Sequence, residues 1–211
     1  MNSPQDPSNE LYPESFLILI DLLRGLPGVG KRSAERMAMQ LYKWNDSKLK
    51  ALSSVLGDLH ERIGTCPECG AMSSGKGMLC PVCASPKRDR STICVVEDFA
   101  QLRTMEAGGT YRGLYHILGG KLAPLEGRTA ESLTIPALLK RLSDGTVKEV
   151  ILALCPDVEG RATEVYLTGI LKEQEGLSIS RLAQGLPAGA DISFADAATI
   201  SAALNGRRPV E

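Results

Sequence analysis

Four cysteines carry the clearest chemistry in this chain of 211 residues. Cys66-Pro67-Glu68-Cys69 and Cys80-Pro81-Val82-Cys83 are two CxxC pairs with ten residues between them. Each CxxC turn aims two thiolates at one point, and four soft anionic sulfurs satisfy a tetrahedral Zn²⁺. Such a site has no open position for water, so the spacing predicts a structural metal centre rather than a catalytic one. The intervening loop, Gly70 to Leu79, is polar and Gly-rich, and the metal is its expected organiser. The competing pattern, two disulfides of a secreted protein, has no export signal before it to support it.

A second constellation is Leu26-Pro27-Gly28-Val29-Gly30-Lys31-Arg32-Ser33-Ala34-Glu35-Arg36. A Gly-rich turn that opens a helix points unpaired backbone N–H groups at the positive end of the helix dipole, which suits one phosphate. Lys31, Arg32 and Arg36 add charge beside it. Nothing in the segment reads base edges, so DNA binding is expected to be sequence-independent. The pattern resembles the helix-hairpin-helix motif. The GxxxxGK[ST] spacing of a Walker A loop is absent.

The third constellation is acidic. Glu97 ends the apolar run Ile93-Cys94-Val95-Val96, and Asp157 and Glu159 follow the apolar run Val150 to Leu154. Ligands gather at the carboxyl ends of parallel strands. Three carboxylates there suit either Mg²⁺ for phosphoryl transfer or an acidic surface for a protein partner. The arrangement is similar to that of Toprim domains, with Asp157-Val158-Glu159 in place of DxD. No nucleophile accompanies the acids, so the non-catalytic reading is preferred; Arg161 is expected to add positive charge to the cluster. His60 and His116 read as structural, and Cys94 and Cys155, in apolar runs, as buried reduced thiols.

The elements that must position these groups follow from periodicity. Phe16, Leu19, Ile20 and Leu23 repeat at helical spacing after Pro13, and Ala34, Met37, Ala38 and Leu41 form a second stripe. A third helix is predicted over 47–63. Beyond Thr92, apolar strands at 93–97, 114–118, 149–154 and 178–183 alternate with helices at 98–107, 136–142, from Ala162 onward and at 194–204. That alternation predicts an α/β domain with a mostly parallel sheet and flanking helices, behind an all-α N-terminal part and a small metal module. Hydrophobic content of 43% supports a core, and 4% aromatic content makes it aliphatic. Net charge is −1, which by itself predicts no polyanion binding. Residues 24–43, however, carry five basic residues and one acidic residue, while 91–211 carry 12 basic and 15 acidic. Such a chain can bind a polyanion at one end and a protein at the other. Met1 to Glu10 is polar and reads as a flexible tail, and no segment has the length of a membrane span. The expectation is a cytoplasmic protein.

The order of parts, a helix-hairpin-helix, a Cys₄ zinc module and a Toprim-like domain, resembles the RecR family of bacterial recombination mediators. The resemblance runs from about Leu11 to Arg208. It rests on Leu26 to Gly30, the four cysteines, Ile93 to Glu97, Tyr111 to Gly120, Val158-Glu159-Gly160 and Arg181 to Pro187. It implies a non-enzymatic DNA-repair protein that forms a homotetrameric ring around DNA. With RecO and RecF it helps load RecA onto strands coated by single-strand-binding protein. It implies DNA contact by Arg32 and Arg36 and RecO contact by Glu97 and Glu159. Gln101 and Arg161 stand where the family commonly has acids, which shifts the partner surface toward Asp98 and Asp157. The loop between the cysteine pairs is two residues longer than the family's.

The resulting domain map is a tail at 1–10, a helix-hairpin-helix region at 11–64, a Cys₄ zinc finger at 65–91, a Toprim-like domain at 92–190 and a C-terminal helix and tail at 191–211. Two rival readings remain: a Mg²⁺-dependent Toprim nuclease or primase-like enzyme, and a zinc-ribbon DNA-binding adaptor that does not close into a ring.

Overall fold

The computed structural model of the chain describes residues 11–209; the expected tail at 1–10 and the last two residues lie outside them. The chain divides into two compact units between His60 and Glu61.

The first unit is helical. α1 (Glu14–Arg24) follows Pro13, whose fixed φ of −57° leads into the first turn. α2 (Lys31–Tyr42) and α3 (Asp46–Gly57) complete it, α3 capped where the Asn45 side chain accepts the Lys48 N–H at 2.9 Å. Ile20, Ala34 and Ala38 form the core, with Phe16, Leu19, Leu23 and Val29 against them. Alanines at two successive turns let α2 approach α1 closely. The helix predicted over 47–63 breaks at Gly57-Asp58, two poor helix formers, and a short turn, α4 (Leu59–Arg62), follows.

The second unit opens with β1 (Gly64–Thr65) paired antiparallel to β2 (Met72–Ser73), then α5 (Pro81–Ala84). The sheet strands are β3 (Asp89–Val96), β4 (Gly113–Ile117), β5 (Glu149–Leu152) and β6 (Ser178–Arg181). The helices between and after them are α6 (Phe99–Gly108), α7 (Ile135–Leu142), α8 (Val158–Leu171) and α9 (Ala197–Asn205). The sheet is parallel throughout, in the order β4-β3-β5-β6. β3 begins four residues before the predicted Ile93, because its first residues are polar: Asp89 accepts hydrogen bonds from Ser91 and Thr92. Apolar patterning does not register such a start.

Alternation along the strands builds two cores. Ile93, Val95, Leu114, Val150 and Leu152 face Leu138 of α7 and Leu167 and Leu171 of α8. Cys94, Val96, Tyr115 and Ile117 face Leu102 of α6 and the four paired cysteines. Both faces are covered, so the strands read as continuous apolar runs. From β3 the chain runs through α6 to β4 on one side, and α7 then carries it across to β5 on the other. The carboxyl end of β3 is therefore the point where the winding direction reverses, the usual place for a ligand crevice.

Candidate functional site

The four-cysteine cluster is built by two tight turns. In the first, the Gly70 N–H donates to the Cys66 carbonyl at 3.0 Å and the Ala71 N–H to Cys69 Sγ at 3.5 Å. Gly70 sits at φ +78°, which glycine adopts without strain. In the second, Cys80 caps α5, and the Cys83 N–H donates to Cys80 Sγ at 3.4 Å. All four side chains are buried, and their sulfurs lie within 4.8 Å of one another. A tetrahedron with ~2.3 Å metal–sulfur bonds has edges of about 3.8 Å, so the donor set fits such an ion. The charges ask for one. A hydrogen bond from the Cys83 thiol lowers the Cys69 pKa. The same bond pushes Cys83 up, and burial pushes Cys80 up. Four buried thiols cannot all ionise without a cation among them. The loop between the pairs has more support than its composition predicts. β2 pairs with β1, Ser73 Oγ donates to the Gly75 carbonyl at 2.9 Å, and Gly64 lies so close to Gly75 that a Cβ would fall 2.2 Å from its carbonyl oxygen.

In the hairpin, Gly28 has φ +77° and the Val29 N–H donates to the Leu26 carbonyl at 3.1 Å. Gly30 precedes α2 in an extended conformation and offers no side-chain cap to the helix N-terminus. Ala34 and Ala38 point into the core, while Lys31, Arg32 and Arg36 are exposed. Arg32 and Arg36, four apart, share one face.

The carboxylates meet at the crevice, but not as equals. Glu97 is only 8% exposed. Its Oε1 accepts the Cys155 N–H at 2.6 Å, and its own N–H donates to Gln101 Oε1 at 2.8 Å. Asp157 caps α8, its Oδ1 accepting the Gly160 N–H at 2.7 Å. Asp157 and Glu159 are the more exposed acids. Between them stands Lys121, which sequence reasoning missed. Its Nζ hydrogen-bonds Asp157 Oδ2 and lies 3.7 Å from Glu159 Oε2. Arg128 Nη2 lies 3.9 Å from the same oxygen. The Asp157 hydrogen bond, with Glu97 and Glu159 nearby, raises the Lys121 pKa. The available signal was position: Lys121 follows Gly119-Gly120 at the carboxyl end of the second strand. Among the described residues, only the cysteines form a group close enough to hold a metal.

Three expectations change here. The positive charge in the cluster belongs to Lys121 rather than Arg161, which lines a separate groove with Glu164, Arg181 and Leu182. Cys155 is exposed, because β5 ends at Leu152 and the chain has already left the sheet. Gln101 is not a lost acid alone: it ties α6 to the strand end through Glu97 and donates to Cys155 Sγ at 3.3 Å. Cys94 is buried as expected, and burial pushes its thiol up to about 12. His60 is exposed, and His116 is buried against Thr134 and Arg141.

Comparison with known proteins agrees with this layout. A model described as RecR, helix-hairpin-helix matches residues 18–60, a Toprim domain model matches 91–183, and one described as RecR, C-terminal matches 185–208. The recombination protein RecR of Acidothermus cellulolyticus is 42% identical over 201 residues, covering 95% of this chain and 100% of that protein. The chain belongs to the RecR family. The RecR of Thermus thermophilus is 44% identical over 199 residues, 94% of this chain and 99% of its own. That of Bifidobacterium longum subsp. infantis is 43% identical over 197 residues, covering 93% and 97%. The RecR hairpin match spans the exposed arginines, and the Toprim match contains Glu97, Lys121, Asp157 and Glu159. No helix among the described residues is long and apolar enough to cross a membrane.

Proposed function

We propose that this chain is a recombination mediator in DNA repair, acting on DNA without sequence preference and without catalysing a reaction. The hairpin helix grips phosphates through Lys31, Arg32 and Arg36. The four cysteines hold a structural Zn²⁺ that shapes the module at the start of the second unit. The crevice acids form a platform for RecO: Asp157 and Glu159 meet the partner, and Glu97 stands behind them. With RecF at gaps, the complex promotes RecA loading onto strands coated by single-strand-binding protein. Chains assemble as a homotetrameric ring in the cytoplasm, associated with the nucleoid.

The observation that carries the non-catalytic reading is the ammonium of Lys121 on Asp157 and beside Glu159. A Toprim site that works with Mg²⁺ needs those oxygens for the metal. The test is RecA filament formation on gapped DNA coated with single-strand-binding protein, with RecO and RecF, run beside a strand-cleavage assay in Mg²⁺. Stimulated loading without cleavage is the expected result. Cleavage that disappears in Glu97→Gln establishes the enzyme instead. A monomer by solution mass, with and without RecO, establishes the adaptor.

A further inference from the structure

We propose that Lys121 is a built-in cation for the carboxylate cluster: its ammonium holds Asp157 and Glu159 together beside Glu97 and closes the cluster to divalent metal. This deepens the non-catalytic reading above and rests on it.

The lysine is placed by backbone on both sides. Before it, the Gly119 N–H donates to the Glu97 carbonyl at 3.0 Å, and Gly119 and Gly120 take φ +86° and +144°. After it, the Leu122 N–H donates to Thr163 Oγ1 at 2.9 Å, and that hydroxyl donates to the Glu159 carbonyl at 2.7 Å. The backbone around Lys121 is thus tied to the end of β3 and to the first turns of α8. The side chain is 16% exposed, so its aliphatic stem is largely packed, against 50% and 39% for its acidic partners.

The acids are already committed. Glu97 Oε1 takes the Cys155 N–H, Asp157 Oδ1 takes the Gly160 N–H, and Asp157 Oδ2 takes the ammonium. Glu159 lies within reach of both Lys121 and Arg128. Mg²⁺ demands near-octahedral oxygen geometry and gives up its waters reluctantly. To enter, it would have to evict the ammonium or sit beside it, against the repulsion of like charges. The cluster therefore keeps one shape and charge whether or not Mg²⁺ is present, which suits a docking surface rather than a reaction centre.

Mn²⁺ titration of the zinc-loaded full chain, followed by electron paramagnetic resonance, tests this. Wild type and Lys121→Arg should leave Mn²⁺ free. Lys121→Met removes the charge at similar length, and should bind one Mn²⁺ at least about tenfold more tightly than wild type. Adding Glu159→Gln should remove that gain. A folded Lys121→Met that binds no tighter overturns the inference. So does Mn²⁺-induced broadening of the Gly119 and Gly120 amide resonances in wild type, a measurement that needs no variant. Strand cleavage separates the two levels: wild type that binds Mn²⁺ without cleaving sinks the role of Lys121 alone, whereas Mg²⁺-dependent cleavage sinks the non-catalytic reading.

Discussion

The backbone N–H of Ile117 donates to the carbonyl of Cys69 at 2.8 Å. Ile117 lies on β4, an edge strand of the sheet, and its neighbour Leu118 donates in the other direction, to Val96 of β3. The cysteine knuckle thus covers part of a sheet edge that would otherwise present unpaired backbone groups. From the other side, Arg90 Nη2 donates to the Cys83 carbonyl at 3.1 Å.

Loss of one sulfur should therefore reach the sheet. Wild type is expected to hold one zinc per chain by elemental analysis. Cys66→Ser or Cys80→Ser should release it and lower the melting temperature of the second unit, since a structural zinc contributes on the order of 10 kcal/mol of apparent binding energy. A wild-type protein purified without tightly held zinc contradicts this.

Arg32→Ala with Arg36→Ala should weaken binding to all DNA sequences alike. The log–log salt slope on duplex should flatten by about 0.9 per lost phosphate contact. Unchanged affinity in the folded double variant moves the interface to another basic segment, such as Lys87, Arg88 and Arg90.

His116 links stability to pH. Burial first, then the Arg141 guanidinium, lowers its pKa to about 4 from the ordinary 6.5. Its Nε2 bonds to Thr134 Oγ1 at 2.9 Å and its Nδ1 faces Arg141 Nη1 at 3.3 Å, so the neutral ring is the one that fits. The unfolded chain takes a proton near pH 6.5, while the folded chain does not until about pH 4. Stability is thus full above pH 6.5 and declines as pH falls toward 4, by on the order of 3 kcal/mol in all. Denaturation across that range should show the decline in wild type and a flatter profile in His116→Phe. Parallel profiles disprove the linkage.

Charge reversal of the exposed acids, Asp157→Lys with Glu159→Lys, should abolish RecO binding and spare DNA binding. The wild-type contact should weaken as salt rises. Glu97→Lys should do more damage, because it places an ammonium at a buried position, 8% exposed, and removes the acceptor of the Cys155 N–H. A lower melting point for Glu97→Lys than for the double reversal is the expected ordering. Full RecO binding by a folded double reversal places the contact elsewhere.

Two glycines of α8 should respond with opposite signs. A Cβ on Gly160 would fall 1.9 Å from the Cys155 carbonyl oxygen, which is backbone and cannot swing away. Gly160→Ala should cost about 1–3 kcal/mol or more despite alanine's better helix propensity. Gly169 has nothing within 4 Å of that position, so Gly169→Ala should stabilise by up to about 1 kcal/mol. Thermal denaturation of the two variants checks both signs.

Local chemistry was legible in the sequence alone. The cysteine spacing, the Gly-rich turn before a basic helix and the alternation of apolar strands with helices each depend on neighbours within a few residues. The four buried sulfurs, the exposed arginines and the parallel sheet carry those patterns into three dimensions. What the chain does at the crevice was decided only by tertiary structure. Lys121 meets Asp157 across 36 residues, and Cys155 meets Glu97 across 58. Neither pairing has a periodicity, because each exists only where the sheet order β4-β3-β5 brings separate strand ends together. Burial of Glu97 and exposure of Cys155 have the same origin: how far a strand runs before the chain turns away depends on its partners in the sheet, and no stretch of sequence contains those partners.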